Sequence, residues 1–203
     1  MRICPVGSGA LLLECADGAE VEDWRAELWR RREAGELVAV DIVPAARTVL
    51  VDGVPEPERT AELIAGWTPR PTAGTGDGPL LEVPTVYDGE DLPAVANLWQ
   101  VDVPTAVQRI SGTELRVAFC GFAPGFAYLS GLPEPWAVPR LPSPRPRVPA
   151  GAVALAGPYA GIYPTASPGG WRLVGRTGLT LFDVRRDPPA RLVPGTRVRL
   201  VPA

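Results

Sequence analysis

The chain has 203 residues, 46% hydrophobic and 21% charged, with a formal net charge of −3. This is an ordinary globular balance, long enough for one large domain or two small ones, and no apolar run reaches the roughly 18 residues of a membrane-spanning helix. There is no histidine and no lysine, and all 20 basic residues are arginine, which excludes Ser-His-Asp and Cys-His catalysis, imidazole metal sites, Schiff bases and a P-loop lysine.

In chain order, RICPV (2–6) and ALLLEC (10–15) predict two strands around a Gly-Ser-Gly turn. Glu20 to Arg32 predicts a helix. Val21, Trp24 and Leu28 fall on one face, acids open it, arginines end it, and Gly35 follows. LVAVDIV (37–43) and RTVLV (47–51) predict a hairpin, and Glu58 to Trp67 a second helix behind Pro55 and Pro57. This α+β order resembles a ferredoxin-like sandwich. Residues 69–79, PRPTAGTGDGP, read as a linker, giving domains 1–76 and 77–203.

In the second domain, 80–87 and 114–122 predict strands, and 91–100 and 104–111 short helices. Short strands punctuated by Pro and Gly follow at 148–157, 161–164, 171–177, 179–184 and 196–201. This pattern predicts a closed or nearly closed β-barrel. Cys4, Cys15 and Cys120 are odd in number and widely spaced, so a reducing, cytoplasmic setting is expected, with no disulfide framework or zinc motif. Glu14 interrupts the only early apolar run, so no signal peptide is expected.

Charge is uneven. Residues 71–114 carry 7 acids and 1 arginine, whereas residues 115–182 carry 6 arginines and the single acid Glu134. The cationic stretch suits a small anion or an acidic partner surface. It lacks the dense basic runs and basic–aromatic interleaving of a nucleic-acid binder. The other reading is salt bridges between the arginines and the acidic half.

Three glycine–proline clusters occupy the cationic stretch. CGFAPGFAYLSGLP (120–133) offers Phe122, Pro124, Phe126, Tyr128 and, from a later cluster, Trp171 as a candidate pocket wall; alternatively it is a bulged strand filling the core. PRLPSPRPRVPAG (139–151) sets Arg140, Arg145 and Arg147 on a stiff chain, as an anion clamp or as a solvated polyproline connection. GIYPTASPGGWRLVGRT (161–177) can expose the amides of Ser167, Pro168-flanked Gly169 and Gly170 as an anion-binding nest, with Tyr163, Ser167 and Arg176 as further donors. Its alternative is a tight hairpin anchored by Trp171.

The motifs GF-x-PGF-x-YL-x-GL, PR-x₄-R-x-x-VPAG and GIYP-x-x-SPGGW-x-x-x-GRT together resemble the KipI/PxpB family. That family is also called allophanate hydrolase subunit 1 or the B-type subunit of 5-oxoprolinase, and it resembles part of the carboxyltransferase domain of urea carboxylase. The resemblance is specific over about 115–202 and looser over 1–114. It implies a small α/β domain followed by a cyclophilin-like β-barrel. It also implies work with a PxpC-type (allophanate hydrolase subunit 2) protein and a PxpA-type protein, as a 5-oxoprolinase that opens 5-oxoproline to glutamate with ATP. The alternatives are allophanate or urea carboxylase-type amide chemistry, and a regulatory module, since another member inhibits a histidine kinase.

Matching positions include Gly121, Phe122, Pro124, Gly125, Phe126, Tyr128, Arg140, Arg145, Pro149, Gly151, Tyr163, Ser167, Gly169, Gly170, Trp171, Gly175, Arg176 and Thr177. The chain departs from the family at Ile110, where members usually carry histidine, at Ala156–Gly161, at Gly178, and in a shortened DGEDL stretch (88–92). Opening an unstrained lactam with ATP calls for phosphorylation of the amide oxygen, a step that needs positioning and charge stabilisation more than a protein nucleophile. Arg140, Arg145, Arg176 and the Ser167–Gly170 amides are the expected anion holders. ATP is expected in the assembled complex, the general base is expected from a partner, and no metal is expected.

Overall fold

Period-2 apolar patterns at the N-terminus pair into a sheet. The protein is represented by a computed structural model that describes residues 1–71 and 78–203. The chain divides into two units, Met1–Thr75 and Gly76–Ala203. The expected linker and domain boundary fall largely on residues 72–77, outside the described residues.

The first unit runs β1 (Arg2–Val6), β2 (Ala10–Glu14), α1 (Gly18–Glu33), β3 (Asp41–Pro44), β4 (Thr48–Asp52) and α2 (Pro57–Ala65). Its sheet order is β1-β2-β4-β3, with every neighbour antiparallel. Helix α1 begins where Asp17 accepts a hydrogen bond from the Glu20 N–H at 2.9 Å, an N-cap that satisfies an otherwise orphaned donor. It ends in Arg30, Arg31 and Arg32, which oppose the negative end of the helix dipole. Val21, Trp24 and Leu28 share one core with Leu11, Leu13, Val49 and Val51 from the sheet. The ββαββα order differs from the βαββαβ order of a ferredoxin-like sandwich: two strands, β1 and β2, precede the first helix, and a helix rather than a strand ends the unit.

The second unit runs β5 (Leu80–Thr85), α3 (Leu92–Leu98), α4 (Val103–Gly112), β6 (Leu115–Cys120), β7 (Ala127–Ser130), β8 (Arg145–Val148), β9 (Ala152–Ala156), β10 (Tyr159–Ile162), β11 (Ser167–Gly169), β12 (Arg172–Arg176) and β13 (Arg197–Pro202). Seven strands form one sheet in the order β12-β9-β10-β7-β6-β13-β5. Only β13 and β5 pair in parallel. The sheet's ends meet where Val86 and Arg176 exchange backbone hydrogen bonds of 2.8 and 2.9 Å. A barrel-like core results, filled by Val83, Val117, Leu129, Leu155, Ile162 and Leu200, with Leu92, Val95 and Ile110 from the helices. Each such buried aliphatic side chain stabilises by about 1.5–3 kcal/mol. Among the described residues no helix is long and apolar enough to cross a membrane.

The closing seam explains one glycine of the third cluster. A Cβ on Gly175 would lie 2.5 Å from the Val86 carbonyl oxygen. Backbone cannot yield there as a flexible side chain would. Gly175→Ala is expected to lower stability by about 1–3 kcal/mol, seen as a fall in the urea midpoint.

Two local patterns in the sequence point away from the observed pairing. Residues 179–184, LTLFDV, form no strand; only Phe182 bridges, to Ala190. The facing segment contains Pro188 and Pro189, which have no N–H to extend a ladder, although Leu181 is still buried in the core. Conversely, β8 and β11 pair with each other as a separate two-stranded sheet that the proline content concealed.

Candidate functional site

An aromatic cluster forms against β7, β9 and β10. Phe126 is its hub, with ring centroids 5.2 Å from Tyr128, 5.3 Å from Tyr163 and 5.5 Å from Trp171, all close to edge-to-face. Such pairings contribute beyond simple area burial. Phe119 stacks on Tyr128 at 4.3 Å, and Tyr159 meets both at their edges. Beside the cluster lies a cavity of about 480 Å³, lined by Phe122, Phe126, Tyr128, Tyr159, Tyr163 and Trp171, with Pro139, Arg140, Pro158, Pro168 and Gly169 among the rest of its wall. That volume is within the range of small-molecule sites.

The structure separates the three expected arginines. Arg140 is exposed and lines the cavity, and no carboxylate lies within ion-pair distance of it among the described residues. Arg145 is a strut instead. Its Nη2 donates to both oxygens of Asp91 at 3.0 and 2.9 Å, its Nε meets Glu90 at 2.7 Å, and its Nη1 donates to the Trp171 carbonyl at 3.3 Å. Asp91 also accepts the Leu173 N–H at 2.7 Å, so this buried carboxylate ties the start of α3 to β12. Arg176 sits on the closing seam and pairs with Asp88 at 2.9 Å. For Arg145 and Arg176 the salt-bridge alternative is the observed arrangement.

The remaining candidates also sort by neighbourhood. Ser167–Gly169 is extended and paired with β8, so these residues form a strand rather than a nest of convergent amides. The Ser167 Oγ is buried without a hydrogen-bond partner and, like Gly170, is not among the lining residues. Gly169 does line the cavity, and a Cβ there would lie 2.2 Å from the Tyr163 hydroxyl oxygen, so only glycine lets the phenol sit where it does. Pro124 stiffens the loop after Phe122 but does not line the cavity. Ile110 is fully buried in the barrel core and is also absent from the lining.

Tyr163 is one of three phenols in the aromatic wall, with Tyr128 and Tyr159. Burial pushes its phenol up, opposed by the nearby Arg140 charge and by the Trp171 N–H bonded to it. It therefore stays protonated at neutral pH and can donate. Among the described residues no carboxylate, thiol or imidazole lines the cavity; its lining offers aromatic faces, phenol hydroxyls and the Arg140 guanidinium. Among the same residues no group of three or more metal-ligating side chains occurs. Local pattern in the sequence does not single out Asp91, Tyr159 or Pro158. The signal for Asp91 was the acidic DGEDL stretch, which complements the arginines across the seam; Pro158 and Tyr159 fall where the chain departs from the family motif.

The Phe122 loop is strained. Phe122 has φ +69°, a left-handed conformation that costs a non-glycine residue on the order of 1–3 kcal/mol.

Known proteins share this architecture. Residues 1–192 match the family described as carboxyltransferase domain, subdomain C and D. A protein named as the B-type subunit of 5-oxoprolinase from Escherichia coli is 37% identical over 97% of this chain and 94% of its own length. One of the same name from Haemophilus influenzae is 34% identical over 99% and 97%. The solved structure of TTHA0988 superposes with a TM-score of 0.78 at 34% identity, covering 96% of this chain; this chain spans 40% of that longer one. The urea amidolyase of K. lactis, 18% identical with a TM-score of 0.74 over 99% of this chain and 15% of its own, shares the fold. With the match running through both units, this chain belongs to the carboxyltransferase subdomain C and D family, alongside the proteins named as B-type subunits of 5-oxoprolinase.

Proposed function

We propose that this chain is one subunit of an ATP-dependent 5-oxoprolinase, acting with a PxpC-type and a PxpA-type protein to open 5-oxoproline to glutamate. The observation that carries the reading is near full-length identity, 37% over 97% of the chain, to a protein named as the B-type subunit of 5-oxoprolinase. The cavity agrees with it. 5-Oxoproline is a small flat ring with one carboxylate. Aromatic walls suit the ring, the Arg140 guanidinium suits the carboxylate, and the Tyr163 hydroxyl can donate to the lactam oxygen.

ATP fits this cavity poorly. A triphosphate calls for several cations or a glycine-rich helix start, and the lining offers one guanidinium while Arg145 and Arg176 are engaged by carboxylates. We therefore assign ATP, and the general base, to a partner protein. In this reading the present chain holds the lactam and orients its amide, and hydrolysis adds water across the C–N bond.

The test is glutamate release from 5-oxoproline and ATP by the co-purified subunits, each omitted in turn. Release is expected to need this chain. A full rate without it, or no glutamate from a correctly assembled complex, would overturn the assignment.

A further inference from the structure

Phe122 is held in a conformation its own side chain disfavours. Its φ is +69°, and the Ala123 N–H donates to the Gly121 carbonyl at 2.8 Å. A bond closed over one residue at positive φ is the rare, strained form of the γ-turn, which glycine would adopt freely. The ring is also 61% exposed, the most exposed aromatic among the described residues.

The loop around it is tied down. Gly121 N–H donates to the Phe126 carbonyl at 3.2 Å and Phe126 N–H to the Ala123 carbonyl at 2.9 Å. At Gly125 a Cβ would lie 2.6 Å from the Cβ of Phe182, so that end of the loop packs tightly. The strain is thus imposed on Phe122 by a fixed frame. Strain and an exposed apolar ring both cost stability in the chain alone, and the ring's edge contacts cover only part of it. The ring does line the cavity, meeting Phe126 at 5.2 Å and Tyr163 at 6.3 Å, edge to face.

We propose that Phe122 is a specificity-determining residue: its ring covers the flat face of a small cyclic carboxylic acid whose carboxylate is taken by Arg140. A planar lactam is apolar on its faces and polar at its rim. It lies in the cavity against the uncovered part of the Phe122 ring, with its polar rim towards Arg140 and the Tyr163 hydroxyl. An acyclic acid leaves Phe122 uncovered, and a bulky one displaces it. This proposal rests on the 5-oxoprolinase reading.

The experiment compares Phe122→Gly and Phe122→Leu in the assembled complex, with thermal melts of each chain. Phe122→Gly is expected to melt above the unsubstituted chain, because the strain is gone, while KM for 5-oxoproline rises about tenfold with a smaller change in kcat. Phe122→Leu keeps apolar bulk and is expected to fall between the two in KM. Three results overturn the proposal: a Phe122→Gly chain that melts lower, an unchanged KM, or loss of subunit assembly on gel filtration, which makes Phe122 an interface contact. If the unsubstituted complex does not open 5-oxoproline, the functional reading fails on its own. Thermal shifts with 5-oxoproline, proline and benzoate then decide: a shift that Phe122→Gly abolishes supports the proposal, and shifts that are absent or equal in both chains overturn it.

Discussion

Arg145→Met is expected to destabilise the protein by about 3 kcal/mol, the lower end of the cost of removing one partner from a buried ion pair. Asp91 is 8% exposed and would keep only the Leu173 N–H. A buried carboxylate without its cation carries nearly its whole desolvation penalty. The Trp171 carbonyl would lose its bond to Arg145 as well, so the aromatic wall should loosen along with the fold. The urea midpoint reads the first effect. A double substitution, Asp91→Leu with Arg145→Met, is expected to cost less than the two single changes together, because it leaves no buried orphaned charge: the remaining partner, Glu90, is exposed. Additive costs would mean that the two residues are not a coupled pair.

Arg140→Ala is expected to do the reverse, leaving stability within about 0.5 kcal/mol and weakening 5-oxoproline use about 10- to 100-fold. That range is the worth of one charge-assisted hydrogen bond, about 1.5–3 kcal/mol. Arg140 is exposed and has no carboxylate partner among the described residues, so the fold does not depend on it. KM of the assembled complex is the measurement. Arg140→Lys should recover part of the loss, since it restores the charge without the planar two-point fork. Unchanged KM in Arg140→Ala would remove the carboxylate assignment.

Much of the aromatic wall was legible in the sequence. Phe126 and Tyr128 lie close along one loop and strand, and a local pattern is enough to place them together. The anion site was less legible. Arg140, Arg145 and Arg176 are chemically identical, and all stand on stiff, acid-poor stretches. The SPGG stretch reads locally as a turn with free amides, yet β8 claims it as a strand partner, and no sequence-local rule announces a partner about twenty residues away.

What the sequence determined by itself is the available chemistry and the local elements. Without histidine or lysine, every cationic side chain is an arginine and any chemistry is left to carboxylates, tyrosine, serine, threonine, cysteine, arginine or backbone, and the period-2 patterns with proline and glycine punctuation demand short strands. What only the tertiary structure decided is which arginine is free to act. Asp91 is 54 residues from Arg145, and Asp88 is 88 residues from Arg176. Barrel closure brings those carboxylates to two of the arginines and leaves Arg140 without one among the described residues, because ion pairing acts over a few ångströms of space whatever the separation along the chain.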